Sequence, residues 1–224
     1  TTGRLGLVEL RGFEMPPHLQ MSLTQQLLVR SLVSLFWRKP YNVPLIHWRT
    51  IIHDRFMLPH YLWQDLTNVV QALRADGIDF DVNWFAAHLE FRCPLIGTFE
   101  YSGVHVELRQ SLEPWYVLGE EPGGGGMTRF VDSSVERLQV KVTGMFSPSM
   151  CIAVNGVRIP LQSTETPGQF VGGVRYRAWQ PPSCLHPNIG VHTPLVFDLV
   201  DTANGRSLGG CRYNVEHPGG LNPD

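Results

Sequence analysis

The chain has 224 residues, is 43% apolar and 17% charged, and carries a formal net charge of -2 with a pI near 6.5. This composition excludes a disordered chain and fits one large globular domain or two ordinary ones. The near-neutral charge gives no electrostatic reason to expect a nucleic-acid partner, and no apolar run reaches the ~20 residues that span a bilayer. The four cysteines have no C-x-x-C spacing, so we expect reduced thiols in a cytoplasmic protein. The start Thr-Thr-Gly-Arg suggests a piece of a longer protein.

Helical patterns dominate the first half of the chain. Residues 22–25 have the form of a capping box, and the apolar stripe that follows predicts a helix from Ser22. Pro44 suits the first turn of a second helix, since that turn does not need the N–H that proline lacks. The apolar stripe of residues 62–73 predicts a third helix, which Gly77 ends. Strands are predicted on either side of these helices, over residues 5–13, 88–95 and 104–111.

The second half of the chain is predicted to be all β. Residues 122–128 contain four consecutive glycines, which predict a linker because glycine loses the most conformational freedom in regular structure. Asn155-Gly156 and Asn204-Gly205 each separate two apolar runs, a pattern typical of β-hairpin turns. The predicted strands cover residues 137–143, 151–154, 157–161, 169–179, 195–200 and 207–215.

The predicted fold class is therefore α+β. Residues 1–121 form a helical and antiparallel-sheet part, residues 122–128 a Gly-rich linker, and residues 129–224 an all-β antiparallel sandwich.

Glu-x-Arg pairs occur three times in predicted strands, and two of them follow a histidine. Residues i and i+2 of a strand share a face, so each pair places a carboxylate beside a guanidinium. If residues 88–95 and 104–111 pair around a turn near Thr98 and Phe99, Glu90 lies opposite Glu107. Opposed carboxylates repel unless a cation or a proton intervenes. The residues in these patterns are Glu9, Arg11, His88, Glu90, Arg92, His105, Glu107 and Arg109.

Histidine and glutamate are both ligands for divalent metals, and arginine is the preferred partner of phosphate and carboxylate groups. The pattern therefore predicts a metal site with arginines beside it. The alternative is a solvated charge ladder on an exposed hairpin, which contributes little. Other clusters are read as structural: an acidic rim at Glu113, Glu120 and Glu121, and a packed Pro-rich loop that carries His186 and His192.

Three stretches carry a resemblance to a known family: GRLGLVELRGFEMPPH, EFRCPLIGTFEYSGVHVELRQSLEPWYVLGEE and RYRAWQPPSCLHPNIGVHTPLVFDLVD. They resemble a bacterial family of unknown function whose members are predicted amidoligases. Members usually lie C-terminal to a transglutaminase-like cysteine-protease domain in a much longer chain. The prediction for that family depends on likeness to the catalytic fold of glutamine synthetase. There, a late strand carries a Glu-x-Arg and is followed by a proline and a helix.

The resemblance implies roles for particular residues. Glu9 would bind Mg²⁺ or Mn²⁺, and Arg11 would contact phosphate or substrate. The implied reaction activates a carboxylate with ATP and joins it to an amine. The other candidates come from geometry alone: His88, Glu90, His105 and Glu107 as metal ligands, and Arg92 and Arg109 as catalytic arginines. We therefore expect the C-terminal part of an ATP-dependent carboxylate–amine ligase, inactive alone.

The expected partners are the upstream transglutaminase-like domain and a peptide or amino-acid-like substrate. The competing hypothesis is a non-catalytic accessory module that binds or positions a peptide for that neighbouring domain.

Overall fold

In a computed structural model the chain folds as two units. The structure describes residues 6, 9–10, 12–123 and 126–215. The helical unit consists of Thr1–His47 and Trp63–Phe91, and the sandwich unit consists of Trp48–Leu62 and Arg92–Asp224. Within the described ranges, no helix is both long enough and apolar enough to cross a membrane.

Four α-helices form in the described part of the chain, so the α+β class is confirmed. The first begins one turn before the predicted Ser22, because His18 caps it: its Nδ1 accepts a hydrogen bond from the N–H of Gln20 at 3.2 Å. The helices are α1 (Leu19–Arg38), α2 (Ile52–Arg55), α3 (Pro59–Ala75) and α4 (Ala86–Arg92).

The predicted helix at Pro44 is wrong. Residues 41–48 are irregular, and only a 3-10 turn (Arg49–Ile51) and the short α2 follow. Arg49 has a φ of 52°, which interrupts any right-handed helix running through this segment. The third prediction is confirmed, since Gly77 adopts a φ of 82° just after α3.

The helical unit has its own small core. Val70 and Leu73 of α3 pack with Phe80 and Phe85, and leucines of α1 cover them. The end of α1 is fixed by Asp76, which lies 2.5 Å from Nη2 of Arg38 and 2.7 Å from Nζ of Lys39.

The sandwich unit contains two main antiparallel sheets and a separate hairpin. The strands are β1 (Leu95–Tyr101), β2 (Val104–Gln110), β3 (Val117–Gly123), β4 (Gly126–Val131), β5 (Val135–Thr143), β6 (Met150–Val154), β7 (Val157–Arg158), β8 (Gln162–Ser163), β9 (Phe170–Arg177), β10 (Leu195–Asp201) and β11 (Arg206–Tyr213). One sheet has the order β1-β2-β5-β9-β8 and the other the order β11-β10-β6-β7, and β3 and β4 form a two-stranded sheet.

The two main sheets share one apolar core. Leu138, Val140 and Val142 of β5 point inward, as their alternation predicted, and pack with buried residues of the facing sheet such as Ile152 and Phe197. Both predicted hairpins are confirmed: β6 pairs with β7 around Asn155-Gly156, and β10 with β11 around Asn204-Gly205.

The predicted strand over residues 88–95 is wrong. This segment is α4, followed by a turn at Cys93-Pro94 and then β1. The Asp81 side chain starts the helical segment by accepting a hydrogen bond from the N–H of Asn83 at 2.9 Å. The helix then continues through Ala, Leu and Glu, all good helix formers.

The predicted linker over residues 122–128 is also not what the structure shows. Pro122 pairs with Met127 and Gly123 with Gly126, so the described residues of this stretch belong to the β3–β4 hairpin. In addition, β2 pairs directly with β5, so strands from before and after the glycines lie in one sheet. The observed division into units therefore does not follow the predicted boundary.

Candidate functional site

The outer face of β2 carries the second His-x-Glu-x-Arg pattern. Val104, Val106 and Leu108 of this strand are buried in the sandwich core, so His105, Glu107 and Arg109 lie together on the opposite face, as predicted. Nε of Arg109 lies 3.5 Å from Oε1 of Glu107. Nη1 of Arg109 donates a hydrogen bond to the carbonyl of Cys93 at 2.8 Å, which holds this guanidinium against the loop before β1.

The residues opposite Glu107 are not those predicted. On β1 it faces Thr98, and on β5 it faces Lys141. The turn between β1 and β2 lies at Ser102-Gly103 rather than at residues 98–99. Because a lysine takes the neighbouring position, the expected repulsion between two opposed carboxylates does not arise at Glu107.

His88, Glu90 and Arg92 lie on α4 and not on a strand paired with β2. Helical spacing places residues i and i+2 on different faces, so the pattern does not form the predicted row. His88 packs against Phe85 with ring centroids 4.9 Å apart, and burial lowers its pKa. A lowered pKa keeps this histidine neutral at physiological pH.

An ion network that the sequence did not predict lies on the outer face of β5 and β9. Arg137 and Arg175 are direct cross-strand neighbours. Glu113 lies between them: its Oε2 is 2.8 Å from Nε of Arg137, and its Oε1 is 2.7 Å from Nε of Arg175. The Glu113 side chain is only 2% exposed, so the acidic rim expected from sequence is wrong at this residue. Nη1 of Arg137 also contacts Oδ1 of Asp54 at 3.0 Å.

The segment before α3 explains why these polar side chains are buried. Leu58 and Tyr61 pack against Val171 of β9, and the N–H of His60 donates to Oε1 of Gln139 at 2.8 Å. This packing covers the outer face of β5, so both faces of that strand are buried. Burial, then Lys141 nearby, lowers the pKa of His60.

A second buried pair of charges anchors the Pro-rich loop, although most residues of the loop itself are exposed. Arg177 is 3% exposed, and its guanidinium donates to the carbonyl of His186 and contacts Sγ of Cys184 at 2.8 Å. The carboxylate of Asp132 accepts hydrogen bonds from the N–H groups of Ser134 at 2.9 Å and Leu185 at 3.0 Å. Burial alone would raise the pKa of Asp132, but these bonds and nearby Arg177 outweigh it, and the pKa is lowered.

A comparison with models of protein families matches this chain over its whole length. The family described as "Putative amidoligase enzyme (DUF2126)" matches residues 1–224. The chain belongs to the DUF2126 family. Searches of the curated proteins and of the solved structures found no match.

The resemblance seen in the sequence is thus confirmed, and the DUF2126 family extends over both units of the chain. The element expected to resemble glutamine synthetase begins at Glu9 and Arg11. Glu9 is exposed in an irregular segment, as are Leu10, Gly12 and Phe13, whereas Arg11 lies outside the described residues. The strand predicted over residues 5–13 is therefore not formed at these four positions.

A complete metal centre does not fit the described residues of this DUF2126 chain. Across residues 6, 9–10, 12–123 and 126–215, no three side chains of His, Cys, Asp or Glu converge as metal ligands would. Divalent cations of the Mg²⁺ type need several oxygen ligands around one point. The ligand roles of Glu9, His88, Glu90, His105 and Glu107 remain predictions. The hairpin between residues 88–95 and 104–111, on which the last four roles depended, is not formed.

Proposed function

We propose that this chain is the C-terminal part of an ATP-dependent carboxylate–amine ligase that acts on peptide or amino-acid-like substrates. The observation that supports this proposal is the family match over all 224 residues. Joining a free carboxylate to an amine requires an activated carboxylate. In the proposed reaction ATP transfers its γ-phosphoryl group to the carboxylate, which forms an acyl phosphate and releases ADP, and the amine then displaces phosphate.

The chain by itself would supply only part of such a site. The described residues do not gather enough ligands for Mg²⁺ or Mn²⁺, so we propose that residues outside the chain complete the metal and nucleotide site. Glu9 and Arg11 keep the roles that the family resemblance implies, as a metal ligand and a phosphate or substrate contact. The proposed neighbour is a transglutaminase-like domain in the same polypeptide.

The accessory-module hypothesis has one observation in its favour. Buried charges beside β5 and β9 already have partners: Glu113 contacts Arg137 and Arg175, and the Asp132 carboxylate accepts hydrogen bonds from two backbone N–H groups. Such an arrangement stabilises a platform and does not by itself perform chemistry. Under this hypothesis the chain binds a peptide and the neighbouring domain reacts with it.

A hydroxamate assay on the full-length protein separates the two hypotheses. The protein would be incubated with ATP, Mg²⁺, hydroxylamine and a set of amino acids and dipeptides, because hydroxylamine traps activated carboxylates. We expect ATP-dependent hydroxamate, lost in Glu9→Ala and retained in the control Glu121→Ala, which alters an exposed carboxylate of β3. The ligase proposal fails if no acid consumes ATP or if Glu9→Ala retains full turnover.

A further inference from the structure

Among the described residues, no strand pairs with one side of β9 between Val171 and Arg177. One side of the strand pairs with β5, and on the other side β8 pairs only with Phe170 and Val171. Further along that side, His192 is bonded to Arg177: its N–H donates to the Arg177 carbonyl, and its Nδ1 accepts from the Arg177 N–H, both at 2.9 Å.

Main-chain groups of an antiparallel strand alternate in direction, so those of Gly173 and Arg175 point the same way as those of Arg177. Among the described residues, no strand pairs with Gly173 or Arg175 on this side. Unpaired N–H and C=O groups at a sheet edge can accept a further extended segment.

A pocket of about 330 Å³ lies beside this open edge. Its apolar lining includes Val157, Ile159 and Leu195, and Val157 is 68% exposed. Its charged lining is Arg158 and Arg175, and none of its lining residues is acidic. The pocket therefore combines an apolar wall with the exposed guanidinium of Arg158 and with that of Arg175, whose charge Glu113 partly neutralises through Nε.

Polar side chains that line the pocket have N–H donors that form no hydrogen bond with the described residues. Arg158 is exposed and has no polar side-chain partner in the described part of the chain. Arg175 contacts Glu113 through Nε and lies 5.8 Å from the Tyr116 ring centre, but its terminal nitrogens form no hydrogen bond with described residues. His192 also lines the pocket, and because its Nδ1 accepts a bond, its Nε2 carries the proton when the ring is neutral.

We propose that this pocket binds the C-terminal residue of an extended peptide. The peptide main chain would pair with the open edge at Gly173 and Arg175. Its terminal carboxylate would contact Arg158 and Arg175, and its apolar side chain would lie against Val157 and Leu195. Main-chain pairing supplies affinity in such complexes, while charge-assisted bonds and side-chain pockets supply selectivity.

This inference goes beyond the proposed ligase and does not depend on it. Peptide binding is measured without ATP or metal. The two proposals therefore have separate tests, and either can fail while the other is confirmed.

The experiment is calorimetric titration of the 224-residue chain with N-acetyl-Ala-Ala-Leu and with the C-terminal amide of the same peptide. We expect the amide to bind at least about tenfold more weakly, since it lacks the charge for the arginines. Arg158→Gln should weaken binding of the acid about tenfold. Val157→Asp places a negative charge in the pocket, and this charge should also weaken binding because it repels the carboxylate of the peptide.

The matched control is Arg206→Gln, an exposed arginine at the start of β11 that does not line the pocket. It should leave both affinities unchanged. Arg158 and Val157 are exposed, so their substitutions should not impair folding. Equal affinity for acid and amide, wild-type affinity in Arg158→Gln, or no saturable binding up to about 10 mM would each overturn the proposal.

Discussion

Arg137 and Arg175 lie directly opposite each other on β5 and β9, and Glu113 forms an ion pair with both. Like charges at directly opposed positions of a sheet repel. The shared carboxylate removes that repulsion, and it does so where Arg137 and Glu113 are almost fully buried. Glu113 follows β2 along the chain, so this contact links that segment to β5 and β9.

The first prediction concerns the shared carboxylate. Glu113→Gln keeps the shape of the side chain but leaves two opposed guanidinium groups without their common counter-ion. We expect a loss of about 2–3 kcal/mol in the free energy of unfolding, less than for a fully buried pair because Arg175 is half-exposed and Asp54 still contacts Arg137. Urea unfolding measures this loss. Glu121→Gln, on the exposed β3, should change little.

A double variant tests whether repulsion is the cause. Adding Arg175→Gln to Glu113→Gln removes one of the opposed charges, so part of the lost stability should return. If the double variant is less stable than Glu113→Gln by the full effect of Arg175→Gln alone, the residues act independently and the network interpretation is wrong.

The second prediction concerns Glu136, whose pKa is raised by burial and then by the nearby Glu113. Its folded-state pKa lies above its unfolded value, so its contribution to stability is complete at low pH. That contribution is lost as pH rises through the folded pKa. Glu136→Gln should therefore stabilise the protein at neutral pH and lose this advantage below the ordinary glutamate range. The amide oxygen of the introduced glutamine can still accept the hydrogen bond that Nε2 of Gln110 donates to Glu136 in the wild type.

Urea unfolding at a series of pH values measures the Glu136 effect. A difference between the Glu136→Gln variant and the wild type that is constant with pH would contradict the raised pKa.

The third prediction concerns Asp132, whose pKa is shifted in the opposite direction to that of Glu136. Its folded-state pKa is lowered, so it contributes stability above its unfolded pKa and loses that contribution as pH falls through the folded pKa. Asp132→Asn weakens the acceptor for the Leu185 N–H and leaves buried Arg177 without its nearby charge. We expect a loss of about 2 kcal/mol at neutral pH.

The loss in Asp132→Asn should shrink below the ordinary aspartate range, as followed by unfolding midpoints. Equal destabilisation at acidic and neutral pH would show that packing, and not charge, holds the loop.

The fourth prediction concerns the β6–β7 turn. Asn155 and Gly156 have φ angles of 48° and 79°, a left-handed conformation that glycine adopts without strain. Gly156→Ala should cost about 1 kcal/mol by thermal or urea unfolding. Gly190→Ala is the matched control, because Gly190 has open space around it and an ordinary φ. Equal effects at the two glycines would contradict the turn argument.

Local sequence patterns predicted the strands of the sandwich well. They predicted the helices and strands of the first half of the chain less well. Leu138, Val140 and Val142 alternate with polar residues, and Asn155-Gly156 permits one compact turn, so β5 and the β6–β7 hairpin follow from short-range chemistry. His88, Glu90 and Arg92 also alternate, but a cap at Asp81 begins a helical segment that leads into this stretch. The i, i+2 spacing alone does not separate those outcomes.

The candidate site was predicted in part for the same reason. The shared face of Glu107 and Arg109 is a property of one strand, and the structure confirms it. Their neighbour Lys141 lies 34 positions beyond Glu107 in the sequence, and only strand pairing brings it alongside. No periodicity in the sequence encodes that partner.

The sequence by itself determined the family, the α+β class, the inward face of β5 and the hairpin turns, because each depends on residues close together in the chain or on the whole sequence pattern. Tertiary structure alone decided that Glu113 is buried between Arg137 and Arg175. It also decided that no described strand pairs with β9 beside the pocket that Arg158 lines. Burial of a charge depends on what covers it, and residues 48–62 are distant in sequence from the strands they cover.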